Sequence, residues 1–306
     1  MDKRDLVIIG GGPAGLTAGI YASRASIDTV ILERGVPGGL VISTNLIENY
    51  PGFSEGVSGP DLMIQMEKQA KRFGCQIMSA HVEKIETGDR EFHLRTDSGE
   101  IITRAVILAS GVQPQMLGVE GEKELIGRGV SYCATCDGPF YRGKSVAVIG
   151  GGDAAVEEAI FLTRFAEKVF VIHRRGELRA IKILQQRAFE NQKIEFVWHS
   201  VADEILGRKL VEGIRVRDVR DGSKKTLKVD GVFIYVGNKP NSLLLQDLVK
   251  IDGKGYVVTD ENMQTTLKGV FAAGDVRQKL LRQVVTAVAD GATAAFAVEK
   301  HLAELK

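Results

Sequence analysis

The stretch Leu6-Val7-Ile8-Ile9-Gly10-Gly11-Gly12-Pro13-Ala14-Gly15 decides how the rest of the chain is read. A short apolar run followed by Gly-x-Gly-x-x-Gly predicts a strand, a tight turn and the start of a helix. The glycines let the backbone approach a pyrophosphate, and a helix N-terminus favours its charge. About twenty residues on, the strand Thr29-Val30-Ile31-Leu32 ends in Glu33. A carboxylate there can accept hydrogen bonds from ribose hydroxyls. A lone Gly-x-Gly-x-x-Gly is often just a tight turn. With strand, helix and acid all in place, the segment reads as a dinucleotide-binding unit.

The pattern returns. Val146-Ala147-Val148-Ile149 precedes Gly150-Gly151-Gly152-Asp153-Ala154-Ala155, in which the third glycine is an alanine. The strand Lys168-Val169-Phe170-Val171-Ile172 then ends in His173-Arg174-Arg175 rather than in an acid, with Arg179 further on. An acid would repel a 2′-phosphate, whereas arginine forks bind one bidentately. Two adjacent arginines are usually a solvated basic patch. Their place after the second strand favours the phosphate reading, hence NADP over NAD. For the first fingerprint the residues leave FAD and NAD open. A clue lies far along the chain, where the run Gly269-Val270-Phe271-Ala272-Ala273-Gly274-Asp275 would place a carboxylate beside a ribityl chain or a phosphate.

Between the two fingerprints stands Cys133-Ala134-Thr135-Cys136-Asp137. Two cysteines at this spacing can close a small reducible ring, and Asp137 can hold or deliver a proton. The other reading is half of a zinc site, which needs a second Cys pair or a Cys/His pair. Cys75 is the one other cysteine, and His81, His93, His173, His199 and His301 show no ligand spacing. A redox dithiol is therefore preferred. Cys75 reads as an inert, partly buried packing residue. Two nucleotides and a dithiol in one chain suggest an electron relay that begins with hydride and ends in a dithiol.

The 306 residues can bury two domains' worth of core, and 44% hydrophobic with 26% charged residues is ordinary for a globular protein. A net charge of +1 favours neither nucleic acid nor an anionic membrane as partner. The first apolar run is too short for a signal peptide or a membrane span, so a cytoplasmic location is expected. Alternating strands and helices predict α/β architecture. Helices are expected over 61–73, 153–165 and roughly 282–303, and strands near 76–79, 91–96, 101–109, 168–172 and 231–236. Gly35 to Gly39 reads as a glycine-rich loop and Asn49-Tyr50-Pro51-Gly52 as a turn.

Taken together these motifs closely resemble the low-molecular-weight thioredoxin reductases, flavoproteins of bacteria, archaea and plants. The likeness runs along essentially the whole chain. It includes Glu48-Asn49-Tyr50-Pro51-Gly52-Phe53 and Arg282-Gln283-Val284-Val285-Thr286-Ala287. It implies two Rossmann-like three-layer dinucleotide-binding domains, the second inserted into the first. Residues 1–113 and 239–306 would bind FAD, and residues 114–238 would bind NADPH and carry the dithiol. Cys136 would exchange electrons with the flavin, Cys133 would attack the disulfide of thioredoxin, and Asp137 would protonate the departing thiolate. Gly10, Gly12, Pro13, Ala14, Gly15, Glu33, Gly38, Gly39, Leu40, Asn49, Val82, Ala109, Gly111, Gly274, Asp275, Arg282, Gln283 and Val284 would surround FAD. Gly152, Asp153, Ala154, Ala155, His173, Arg174, Arg175 and Arg179 would hold NADPH. A homodimer is implied as well.

The chain departs from the family pattern at Leu40, where glutamine is usual, at Ser110-Gly111-Val112, and at Leu267-Lys268-Gly269. Leu40 removes one flavin-side hydrogen bond. A relay of this kind needs three contacts that one rigid arrangement can hardly serve, so a domain rotation is expected about crossings near 110–115 and 236–241. Other readings are a disulfide reductase with another donor such as ferredoxin or another thioredoxin-like acceptor, a peroxidase reductase component, or a flavin-binding sensor. The basic patch argues against the first. The early flavin fingerprint, with no dithiol domain before it, argues against the second. The complete relay argues against the third.

Overall fold

The computed structural model describes residues 2–305. The chain divides into two compact units, one formed by the described residues up to Gln113 and from Lys239 onward, the other by Pro114–Asn238.

In the first unit a parallel sheet runs in the order Gln76–Ser79, Thr29–Glu33, Asp2–Ile9, Gly99–Leu108. Val270–Ala272 pairs in parallel with Val106, Ile107 and Leu108 at the end of Gly99–Leu108. The fingerprint strand is buried on both faces, as a central parallel strand must be. Leu6 and Ile8 join Leu16, Ile31, Ile107 and Phe271 in one core. Val7 and Ile9 join Val30, Leu32, Val106 and Leu108 in the other. The helices Pro13–Arg24, Gly59–Arg72 and Val284–Glu304 feed the first of these cores.

Three boundaries differ from expectation for local reasons. The second helix starts at Gly59 because Ser58 caps it, its hydroxyl accepting the Asp61 N–H at 3.1 Å. The C-terminal helix begins at Val284, with a reciprocal cap between Gln283 and Thr286. The helix Asp153–Leu162 stops three residues early, its last turn tightened by bonds from Arg164 and Phe165 to carbonyls three residues back. The sheet is also not wholly parallel. Val82–Thr87 and Phe92–Thr96 add an antiparallel edge. In Val82–Thr87 only Val82 and Ile85 are buried while the charged residues between them face solvent; a register shift between Val82 and Lys84 breaks the period of two and lets residues three apart share a face.

In the second unit five parallel strands run Ile194–Val197, Lys168–Ile172, Ser145–Ile149, Gly231–Ile234, Val130–Ser131. One face packs on the helices Asp153–Leu162 and Lys182–Phe189 through Val146, Val148, Val156 and Leu184. The other face packs on an antiparallel sheet of Ser200–Leu206, Gly213–Asp218 and Lys224–Leu227 through Ala147, Ile149, Ile205 and Ile214. Each unit is thus a layered α/β fold. Where the chain leaves the first unit and returns, Asn241 N–H donates to the Gly111 carbonyl and its side-chain amide to the Ser110 carbonyl, while Ser110 Oγ donates to the Asn241 carbonyl. On the other side Gln115 N–H donates to the Gly237 carbonyl at 2.9 Å. Among the described residues no helix is long and apolar enough to cross a membrane.

Candidate active site

The first fingerprint opens on a cleft of about 250 Å³ in the first unit. Gly10, Gly12, Pro13 and Ala14 form its floor, with Glu33, Gly39, Leu40, Ala109 and Gly111 beside them. Gly274, Asp275, Arg282, Gln283 and Val284 arrive from the far end of the chain. The turn itself depends on glycine twice. Gly10 has φ of 111°, and a Cβ there would stand 2.4 Å from the Ala109 carbonyl oxygen. A Cβ on Gly15 would come within 1.8 Å of the Gly10 carbonyl oxygen, so this glycine lets helix and strand close together rather than facing the cleft.

Three other expected residues are also placed differently, and a fourth, Glu33, is in place but partly engaged. Gly38 is not a lining residue; its N–H donates to the Gly11 carbonyl at 2.8 Å and so shapes the wall. Asn49 donates to Gln283 Oε1 at 3.1 Å, supporting a lining side chain from behind. The Val82 side chain is buried in the second core of this unit, because its strand turns it inward. Glu33 lines the cleft yet already accepts the Gly11 N–H at 2.7 Å and the Gly35 N–H at 3.0 Å. A carboxylate has about four acceptor sites, so two remain for hydroxyls. Ser110, Val112 and Ala287 complete the lining with Val41 and Thr44, the last two carrying no sequence signal of their own.

Two buried polar atoms in this wall, Asp275 Oδ1 and Arg282 Nε, have no hydrogen-bond partner among the described residues. Burial pushes the Asp275 carboxyl up, against the pull of Lys279 and Arg282. Lys279 Nζ stands 3.6 Å away. A buried carboxylate oxygen held by an ion pair alone and a buried Nε without a hydrogen bond leave polar capacity for a ligand. A glycine turn, an acceptor and a guanidinium suit an anionic, hydroxyl-rich molecule such as a flavin nucleotide.

Asp290, absent from the sequence reading, holds this wall. Its carboxylate accepts from Gly274 N–H at 3.0 Å, Arg277 Nη1 at 3.0 Å and Lys279 Nζ at 2.9 Å, and it is buried. An acid inside a helix of alanines and valines is itself a signal, since a buried charge must be paired. Asp290→Ala is expected to lower stability by about 3 kcal/mol, the lower end for breaking a buried pair. A fall in the thermal midpoint together with weakened flavin retention is the measurement that checks it.

In the second unit a cleft of about 290 Å³ is lined by Gly150, Gly151, His173, Arg174, Arg179 and Tyr235 among others. Gly152 caps the helix Asp153–Leu162 in extended conformation, and Ala155 is buried against Val148 and Val156. Asp153 does not face this cleft. Its Oδ1 accepts the Ile181 N–H at 2.8 Å and fixes the loop carrying Arg179, whose own N–H donates to the Gly151 carbonyl at 2.7 Å. Ala154 and Arg175 are exposed and do not line the cleft. His173 is buried with an unpartnered Nε2. Burial, then Arg179, Arg175 and Arg174, pull its pKa below the ordinary value. Like charges that depress a neighbouring imidazole mark a real concentration of positive charge. Tyr235, Ser200 and Ala202 line the cleft without having been anticipated.

Cys133 and Cys136 form a disulfide with Cα atoms 5.4 Å apart. The turn Ala134–Asp137 that holds them is tied at its start. Ser131 Oγ accepts the Cys133 N–H at 3.0 Å, Cys133 Sγ accepts the Cys136 N–H at 3.1 Å, and the Tyr235 hydroxyl accepts the Ala134 N–H at 2.9 Å. Asp137 closes the turn, its N–H donating to the Cys133 carbonyl. Asp137 also lines a separate cleft with Arg128, Tyr141 and Lys144, beside the exposed Phe140. A disulfide whose neighbouring amides are held in place can open to a dithiol and exchange with an external disulfide. Cys75 is buried, and burial pushes its thiol up. It takes no part in this chemistry.

Comparison with known proteins agrees with this arrangement. The family model described as pyridine nucleotide-disulphide oxidoreductase matches residues 4–291. A thioredoxin reductase of Listeria monocytogenes is 48% identical over 303 residues, covering 99% of this chain and 95% of that relative. One of Bacillus subtilis is 46% identical, covering 99% and 96%. Among solved structures, Lactococcus lactis thioredoxin reductase superposes with a TM-score of 0.96 at 45% identity, covering 98% of this chain and 99% of its own. That of T. acidophilum gives 0.94 at 34% identity, covering 99% and 100%. The chain belongs to the pyridine nucleotide-disulphide oxidoreductase family, among its thioredoxin reductases.

Proposed function

We propose that the chain passes electrons from NADPH, through FAD and the Cys133–Cys136 dithiol, to the disulfide of thioredoxin. The observation that carries this reading is the tied Cys133–Cys136 disulfide in the unit that also holds an arginine-lined cleft. Family membership supplies a flavin and a pyridine nucleotide. Gly12, Asp275, Arg282 and Gln283 suit FAD in the first cleft, and Gly151, Arg174 and Arg179 suit NADPH in the second. When bound, the two cofactors supply hydride and electron transfer to the disulfide.

The chain's own residues do the thiol chemistry. The Cys133 thiolate attacks one sulfur of the thioredoxin disulfide, forming a mixed disulfide and releasing the other sulfur as a thiolate. Asp137, at the end of the same turn, gives that thiolate its proton. Cys136 then attacks Cys133 Sγ, reforming the intramolecular disulfide and freeing reduced thioredoxin. A homodimer and a cytoplasmic setting belong to the same proposal.

A second reading changes the donor. A solved structure named ferredoxin-flavin thioredoxin reductase, from Clostridium acetobutylicum, is 30% identical with a TM-score of 0.55. Arg174 and Arg179 in the second cleft favour the phosphorylated nucleotide. The deciding experiment mixes FAD-loaded protein with thioredoxin and either NADPH or NADH. Thioredoxin-dependent loss of NADPH absorbance with matching new thiols is expected, and slow reaction with NADH. A flavin that stays oxidised with both nucleotides, while chemical reduction restores thioredoxin turnover, would move the assignment to another donor.

A further inference from the structure

One side chain of the second unit belongs to two places at once. Tyr235 follows the strand Gly231–Ile234, which lies between Ser145–Ile149 and the edge strand, and lines the cleft beside Gly150, Gly151 and His173. Its hydroxyl also accepts the Ala134 N–H at 2.9 Å. Ala134 opens the dithiol turn, and an amide at a helix start has no partner within the helix. The turn's other side-chain anchors are local, Ser131 on Cys133 and Cys133 Sγ on Cys136. Reduction alters the second of these directly, because Cys133 Sγ leaves the disulfide. The bond to Tyr235 is the anchor that reaches into the nucleotide cleft.

The phenol is suited to this. Burial, followed by Glu158 and Asp137, pushes its pKa well above the ordinary tyrosine value, so the hydroxyl keeps its proton. Glu158 is itself pushed up to about 8 by burial and by Glu157. Tyr235 N–H donates to the Ile149 carbonyl at 2.8 Å, which fixes its backbone against the strand leading into the glycine turn.

We propose that Tyr235 is a positioning residue that couples occupancy of the dinucleotide cleft to the redox state of Cys133–Cys136. This rests on the nucleotide reading of the second cleft. A ligand beside the ring restricts the ring to the position seen here, where it holds Ala134 with the disulfide closed. The ligand then binds more tightly to the disulfide form, and by linkage it favours the disulfide by the same factor. Loss of one neutral hydrogen bond sets the scale at about five-fold.

The test uses the full-length, FAD-loaded protein and 2′-phospho-ADP-ribose, which lacks the nicotinamide and transfers no hydride. Its affinity is measured by calorimetry with Cys133–Cys136 held as disulfide or as dithiol in a thiol buffer, the state being verified by alkylation and mass. The wild type should bind the disulfide form about five-fold more tightly. The ligand should move the disulfide midpoint about 20 mV more negative, that ratio converted at about 30 mV per decade. Tyr235→Phe keeps the ring and removes the acceptor, so the two affinities should become equal and the midpoint shift should vanish. Equal affinities in the wild type, a preference for the dithiol, or a ratio unchanged in Tyr235→Phe overturns the coupling while leaving the nucleotide site standing. No binding to either form overturns the nucleotide reading and the coupling with it.

Discussion

Cys136→Ser is expected to reduce thioredoxin turnover to background while leaving NADPH-dependent bleaching of the flavin intact. The substitution removes one sulfur of the disulfide, and a hydroxyl can neither form the ring nor leave from it. The local structure should survive. Ser131 Oγ still accepts the Cys133 N–H, and the Asp137 N–H still donates to the Cys133 carbonyl. Stopped reduction of the flavin in the variant would mean that the change has damaged more than the dithiol. Sustained thioredoxin turnover would mean that electrons leave by another route. Cys75 offers none, being buried and with a thiol pKa raised by burial, where a reactive cysteine needs thiolate character.

How much of this was legible depended on whether a residue acts through backbone pattern or through a distant partner. The two glycine turns stand out because apolar strand, glycine spacing and helix are contiguous in the chain. The dithiol stands out because its ring closes over three residues. Asp275 could be suspected from a strand ending in Gly-Asp, although the wall it joins is assembled from segments far apart. Asp153 misled, since its position in the fingerprint suggests the nucleotide whereas the Ile181 N–H engages it. Asp290 was hidden because its three partners lie eleven to sixteen residues earlier, in a loop without periodicity. Tyr235 was hidden for the opposite reason, because an aromatic at the end of an apolar strand looks like core. The antiparallel sheet of residues 200–227 escaped notice because Arg215, Arg217, Lys224 and Thr226 break its apolar pattern on the open face. One-sided burial leaves just such an alternation.

The double substitution Arg174→Ala/Arg179→Ala, at the two arginines that line the second cleft, is expected to lower kcat/KM for NADPH by about a hundred-fold and to leave that for NADH within a few-fold. A hydrogen bond to a charged group contributes about 1.5–3 kcal/mol, and about 1.4 kcal/mol is a factor of ten. Both arginines are exposed, so solvent screening places the pair at the low end of that range. NADH has no 2′-phosphate and should not register the loss. His173 provides an independent readout of the patch, because Arg179 and Arg174, with Arg175, help burial to hold its pKa down. Followed by NMR, its titration should move upward in the variant. The sign of the stability change follows. A histidine whose folded pKa is depressed contributes no penalty above about pH 6.5, its ordinary value. It destabilises the fold as pH drops toward the folded value, because the unfolded chain then binds the proton more readily. Raising the folded pKa narrows that window, so the variant should lose less stability on mild acidification than the wild type. An equal fall in kcat/KM for both nucleotides, or none for NADPH, would show that the arginines form a solvated patch and that the donor is chosen elsewhere.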